Sequence, residues 1–219
     1  MQAEAPLEAL PFSRDLWYSV YAWYAILGWI AGLTTFGVFL YVLLRYRAKG
    51  DKDVPPEEKM REDRNNWRGP IIVIVLMSLV LLAVGLETVS AIVIYETPPS
   101  SAKAEIIRVT CHQFYFNFTY PNGQTLQNLL IVPAGVPVIL NVTSSDVYHQ
   151  FGIPYFRLKT DAIPGRFNTV WFIAPASLVG QNFTIQCFEL CGAGHATMIA
   201  RLSVVSQAQF ALLMGGDGS

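Results

Sequence analysis

The chain has 219 residues, 53% of them hydrophobic and 14% charged, with 15 Lys and Arg against 16 Asp and Glu for a formal net charge of −1. So apolar a composition argues against an ordinary soluble domain, and a charge so near zero gives no sign of nucleic-acid binding. Three cysteines are an odd number, which excludes a fully paired disulfide framework.

The apolar residues are concentrated at the start of the chain. No charged residue lies between Leu16 and Leu44, and between Gly69 and Tyr95 the only one is Glu87. At 1.5 Å per residue, about 20 residues cross a hydrocarbon core, and both runs exceed that. The reading is a two-helix transmembrane hairpin within residues 1–96, its helices at about 16–46 and 68–96. A cleaved signal peptide would need a basic leading segment, whereas "MQAEAPLEALPFSRDLWY" offers acids. The first helix therefore reads as a retained anchor, with a removed presequence as the alternative. The connecting segment carries Arg45, Arg47, Lys49, Lys52, Lys59, Arg61, Arg64 and Arg68. The Lys/Arg bias of short loops predicts that it faces the cytoplasm, leaving both termini outside. Glu87 is costly in lipid and is expected to face protein or a polar cavity.

"TPPSS", 97–101, reads as a rigid linker, and the sequence changes character after it. "EIIRVTCHQFYFNFTY" alternates over its second half, with Phe116, Phe118 and Tyr120 on one face and Asn117 and Thr119 on the other, and leads into "PNG". It reads as a strand ending in a hairpin turn. "NLLIVPAG", "PVILNVTSS", "YHQFGIP", "TVWFIAP", "NFTIQCF" and "ATMIARLSVV" are further strand candidates. Short strands at this spacing predict an all-β sandwich or barrel over residues 102–219, about 120 residues, closed by a short helix in "SQAQFALLM". Asn-x-Thr triplets at Asn117, Asn141 and Asn182 fall inside strand candidates, where they arise by chance.

"CFELCGAGHATM", 187–198, places Cys187, Cys191, His195 and Met198 at the spacing C-x3-C-x3-H-x2-M. Gly192 and Gly194 ease the backbone limits of a loop wrapping a small object. Two thiolates, an imidazole and a thioether form a soft donor set that favours copper before zinc and excludes magnesium or calcium. His149 in "DVYHQF" completes it, since His112 sits just ahead of the alternating stretch. A Cys187–Cys191 disulfide leaves His195 and Met198 unexplained. Zinc held by two cysteines and two histidines is the rival, although that class has no use for a methionine. A single-copper electron-transfer site needs only one cysteine. Two thiolates can instead bridge two coppers, each capped by one histidine, with the methionine and a carbonyl as weak ligands.

These residues resemble subunit II of the haem-copper cytochrome c oxidases, and "CFELCGAGHATM" resembles that family's dinuclear copper A loop. The resemblance runs through the two-helix hairpin, "CHQFYF", "DVYHQFGIP", "LKTDAIPGRFN" and the copper loop, in that order. It implies a cupredoxin-like Greek-key sandwich with His149, Cys187, Cys191, His195 and Met198 as copper ligands and Glu189 as a carbonyl ligand. It further implies that the Glu189 carboxylate reaches a magnesium ion at the boundary with subunit I, against a surface role in capping the loop. Asp146 is expected either to hold the His149 imidazole or to be an exposed strand-end acid. The implied function is to take electrons from a cytochrome c and pass them to haem in subunit I, where oxygen is reduced to water with proton translocation. The implied partners are subunit I, the other oxidase subunits and the lipid membrane. The implied place is a prokaryotic plasma membrane rather than a mitochondrial one, with the carboxy-terminal domain on the outer, positive side.

The sequence departs from the family at the aromatic triplet after "HQ", which is Phe114, Tyr115 and Phe116 where relatives carry Trp-Tyr-Trp. These three are the candidates for electron input or donor docking, or else they are core. Between Arg108 and Val142 there is no acid, so donor docking is expected to be mainly apolar and weakly salt-dependent. Asp161 and Arg166 are expected to shape the subunit I boundary or to pair with each other, and Cys111 to be a free buried thiol. The family's proton-uptake glutamate at the start of the second helix is not clearly matched by Glu62 or Asp63, near Arg64 and Trp67. Rival functions are a metal-free structural subunit II of a quinol oxidase, nitrous oxide reductase, which lacks the helix hairpin, and a zinc-stabilised membrane-anchored binding domain.

Overall fold

The computed structural model describes residues 13–47, 67–98 and 104–215. The amino-terminal segment, the basic loop from Ala48 with Glu62, Asp63 and Arg64, residues 99–101 of the linker and the last four residues lie outside the described residues.

Two helices open the described chain, α1 over Ser13–Arg45 and α2 over Arg68–Glu96. Pro70 falls in the first turn of α2, where its missing N–H breaks no helical bond. Ser19–Ser90 forms one compact unit, and the residues up to Tyr18 and from Ala91 form the other. Within the first, the Tyr24 hydroxyl lies 2.9 Å from that of Thr88. The hydroxyls of Thr34 and Thr88 donate to the carbonyls of Ile30 and Val84 at 2.7 and 2.8 Å, which satisfies polar atoms inside apolar helices. Every residue from Ile71 to Met77 is exposed, nearly two full turns of uninterrupted apolar surface. Such a surface is at ease only against lipid or other apolar helices. Both helices are long and apolar enough to cross a membrane, and they support an integral two-pass topology. Glu87 is exposed on this chain's own surface.

The second unit contains ten strands: β1 Glu105–His112, β2 Tyr115–Thr119, β3 Thr125–Gln127, β4 Leu129–Pro133, β5 Pro137–Ser144, β6 His149–Ile153, β7 Leu158–Ala162, β8 Asn168–Ile173, β9 Asn182–Cys187 and β10 Ile199–Val205. They form two five-stranded sheets, β3-β2-β1-β5-β8 and β4-β10-β9-β6-β7. Chain neighbours repeatedly switch sheets, and β1 with β5 and β4 with β10 pair in parallel. This is the cupredoxin-like sandwich. Its core holds Phe116 and Phe118 of β2 against Phe151 of β6, ring centres 5.7 and 6.4 Å apart.

The stretch expected as one strand is instead the β1–β2 hairpin, in which His112 pairs with Tyr115. The reason is a change of phase. Ile107, Val109 and Cys111 are buried at odd positions, then Phe116, Phe118 and Tyr120 at even ones, and a continuous strand cannot bury both sets on one face. Strands β3 and β7 carry no clear alternation in the sequence. Each lies at a sheet edge, where only one neighbour is paired and burial is incomplete. Helix α3, Gln207–Leu213, follows a capping box: Gln209 N–H donates to Ser206 Oγ, and Ser206 N–H donates back to Gln209 Oε1.

The Tyr120 hydroxyl ties the sheets together. It donates to the Ile131 carbonyl at 2.9 Å and accepts from the Ile131 N–H at 2.7 Å.

Candidate metal centre

Strands β6 and β9 are antiparallel neighbours, with Phe151 opposite Cys187. That register sets His149, the first residue of β6, beside Cys187, the last of β9, although 38 residues separate them. Residues 188–198 then loop back to β10, which pairs with β9, so the loop's two ends are fixed by one hairpin. At its base Cys187 N–H donates to the Met198 carbonyl at 3.2 Å, and Phe188 N–H to the Gln150 carbonyl at 2.8 Å.

Inside this frame the Cys187 and Cys191 sulfurs stand 3.9 Å apart. Both thiols are free, and their separation is far beyond the roughly 2.05 Å of a disulfide. His149 Nδ1 lies 3.7 Å from the Cys187 sulfur and His195 Nδ1 3.6 Å from the Cys191 sulfur. The Glu189 carbonyl is 3.3 Å from the Cys187 sulfur, and the Met198 sulfur is 3.9 Å from that of Cys191. His149, Cys187 and Cys191 form a buried group of donors able to hold a metal, all within 4.8 Å of one another. Met198 is fully buried and His195 half-buried.

The donor set tests the fit of a metal. Six donors converge: two thiolates, two imidazoles, one thioether and one carbonyl. A tetrahedral zinc takes four ligands and has no use for a thioether. A set of this size is larger than a single four-coordinate ion would need. Soft sulfur with imidazole suits copper.

Asp146 supplies the support for His149. Its Oδ1 accepts from His149 Nε2 at 2.9 Å, which fixes the proton on Nε2 and turns the Nδ1 lone pair to the sulfurs. Desolvation pushes the Asp146 carboxyl up, but hydrogen bonds from His149 and from the N–H groups of Gln113 and Val147 outweigh it and bring the pKa down to about 2. Burial, then the neighbouring Cys187, push the Cys191 thiol up to about 11, so a bound cation must displace its proton.

The β1–β2 turn, from the opposite sheet, closes over the loop. Gln113 N–H donates to Asp146 Oδ2 at 2.7 Å, and Gln113 Nε2 donates to the Cys191 carbonyl at 2.5 Å. One residue thereby reaches both the support of His149 and the backbone of a cysteine 78 positions away. No sequence spacing announces that role. The Phe114 ring lies on the loop so closely that a Cβ on Gly194 would fall 2.6 Å from its Cγ. Gly192 does need a glycine backbone, with φ +133°, whereas Gly194 at φ −91° is small because Phe114 occupies the space.

The three aromatic candidates have different settings. Phe114 is half-buried against the loop, Tyr115 stacks on His112 with ring centres 4.5 Å apart, and Phe116 is wholly buried, which removes it from any docking surface. His112 Nδ1 lies 2.6 Å from the Ser145 hydroxyl, and among the described residues His112 is not part of the buried metal-donor group. Cys111 is buried behind the site on β1, its thiol pushed up by burial and by Cys187. Glu189 is half-buried. Asp161 accepts from Tyr148 and Gln150 at 2.8 and 3.0 Å, and among the described residues no ion pair joins it to Arg166.

Residues 124–205 match the family model described as cytochrome c oxidase subunit II, periplasmic domain. Over 212 residues the chain is 30% identical to the haem-copper oxidase subunit 2 of Aeropyrum pernix, covering 89% of this chain and 87% of that protein. The chain belongs to the subunit II family of cytochrome c oxidases. It is thereby classed as a component of an oxidoreductase complex. It is also 28% identical over 187 residues to cytochrome c oxidase subunit 2 of Alkalihalophilus pseudofirmus, covering 83% of this chain but only 52% of that relative. Among solved structures, the periplasmic domain of subunit II of cytochrome oxidase from Bradyrhizobium japonicum is 33% identical, with a TM-score of 0.49, covering 54% of this chain and 95% of that one.

Proposed function

We propose that this subunit accepts electrons from a cytochrome c at a dinuclear copper centre and passes them to haem in subunit I, where oxygen is reduced to water and protons are translocated. The observation that carries the reading is the convergence of six donors on two unpaired cysteines 3.9 Å apart, a set that two thiolate-sharing ions use in full and one zinc does not. His149, Cys187, Cys191, His195, Met198 and the Glu189 carbonyl would hold the coppers, which would supply a reversible one-electron couple when bound. The chain's own part is to keep the donors fixed and dry. Packed strands β6 and β9 set His149 and Cys187, Asp146 orients the imidazole, and Gln113 with Phe114 presses the loop in place. Because the donor set is rigid, little reorganisation would oppose the arrival or departure of charge.

The Glu189 carboxylate, next to a copper-holding carbonyl, is proposed to meet a magnesium ion at the subunit I boundary, with Asp161 and Arg166 shaping that surface. Tyr148 and Leu190, each adjacent in sequence to a ligand, expose 41% and 77% of their surface and support an apolar docking area for the donor. Phe114 and Tyr115 are the aromatics available to electron input. The basic connecting segment supports a cytoplasmic loop and so the reading of the sandwich on the outer side, in a prokaryotic plasma membrane on this proposal.

The deciding experiment is metal analysis and electron paramagnetic resonance of the full chain, purified in detergent and loaded with copper. Two coppers sharing one unpaired electron are expected. One zinc per chain, or isolated single-copper signals, would refute the reading.

A further inference from the structure

Away from the sulfur cluster, two arginines converge on one cleft. The guanidinium of Arg14, in the first turn of α1, lies 4.5 Å from the ring centre of Tyr155 and 5.7 Å from that of Tyr18. The guanidinium of Arg157 lies 4.4 Å from the ring centre of Trp17 and 5.5 Å from that of Tyr18, and its Nη2 donates to the Tyr18 hydroxyl at 3.1 Å. Arg14, Tyr18, Pro154, Tyr155, Arg157 and Thr184 line an open cleft of about 430 Å³. Among the described residues neither arginine forms an ion pair with a carboxylate. Asp15 lines a second cleft that Arg14 also borders, and among the described residues no acid lines the first cleft. Two like charges facing one space repel, and an anion that accepts from both reverses the sign of that interaction.

Arg157 adds a second observation. Its φ is +55°, and its N–H caps the turn of Pro154–Phe156 by donating to the Pro154 carbonyl at 3.1 Å. Glycine takes this conformation at no steric cost, whereas a residue with a Cβ is strained there. What the position gains from arginine is therefore the side chain.

We propose that this cleft binds the phosphate of an anionic membrane phospholipid. The guanidinium fork matches phosphate oxygens through paired N–H bonds, and Thr184, which also lines the cleft, carries a hydroxyl. The source follows from α1, which continues from this point as an apolar span. Trp17, Tyr18, Tyr21, Trp23 and Tyr24 crowd its first turns, and aromatics of this kind sit at headgroup depth, where phospholipid phosphates are dense. A wall with two cations and no acid selects a net-negative headgroup over a zwitterionic one.

The test is native mass spectrometry of the full chain released from nanodiscs containing phosphatidylglycerol or phosphatidylcholine. Phosphatidylglycerol is expected to be retained about tenfold more than phosphatidylcholine. The pair Arg14→Gln and Arg157→Gly is expected to lower that retention by about tenfold or more. Arg157→Gly alone should melt no lower than the parent, since glycine relieves the backbone, which separates lost binding from lost folding. Equal retention of the two lipids, or unchanged retention in the double variant, would overturn the proposal. So would displacement of the lipid by millimolar inorganic phosphate, because the ligand would then be the free anion.

Discussion

Replacing Gly194 with alanine tests whether the β1–β2 turn holds the metal loop by contact. The backbone at φ −91°, ψ 9° accepts alanine, so the cost is steric alone. The new methyl would fall 2.6 Å from Phe114 Cγ and 2.8 Å from Cε2, about 1 Å short of ordinary carbon contact at about 3.5–4.0 Å. Either the ring leaves the loop or the loop moves by about that 1 Å, and His195, a proposed ligand, is the next residue. Overpacking of this kind costs about 1–3 kcal/mol. For a domain of about 100 residues, each kcal/mol lowers the melting temperature by about 4–8 °C. Melting of the metal-free chain, followed by near-ultraviolet circular dichroism, should show the drop, and the copper-loaded variant should show altered hyperfine splitting. Adding Phe114→Ala removes the obstructing atoms and should recover at least about 1 kcal/mol as a coupling between the two sites. A Gly194→Ala variant with the parent's melting temperature and spectrum, or a double variant with no recovery, refutes the contact as the loop's constraint.

Asp146→Asn keeps the shape of the support but removes its charge, and copper affinity measured by chelator competition should fall about 10–100-fold while the metal-free fold survives. Tyr120→Phe leaves the Ile131 N–H and carbonyl without the hydroxyl that serves both, and denaturant unfolding should show a loss of about 1–3 kcal/mol with copper spectra unchanged. Stopped-flow reduction by a cytochrome c should slow less than about tenfold between low and physiological ionic strength, and a loss of several orders of magnitude would show a charged docking surface instead.

Much of this protein is legible along the chain because the signals are local. The uninterrupted apolar runs announce α1 and α2, since crossing a bilayer is a question of length and composition. The spacing of Cys187, Cys191, His195 and Met198 announces a soft metal site because one loop carries all four. Strands β4, β5, β6, β8, β9 and β10 each carry their own apolar run. What the sequence could not yield depends on partners distant in the chain. The shift of buried phase between Cys111 and Phe116 becomes a hairpin only when the second sheet defines an inside. The sequence offers His149 as the missing donor, but only the register of β6 on β9 brings it to Cys187. Gln113 reaches the Cys191 carbonyl from the opposite sheet, Gly194 is small because of Phe114, and Arg14 and Arg157 converge because both guanidiniums lie over the Tyr18 ring. Hydropathy and ligand spacing are properties of short segments and survive in the unfolded chain. Contacts across 38 or 78 residues exist only once the sheets have packed, and tertiary structure alone decided them.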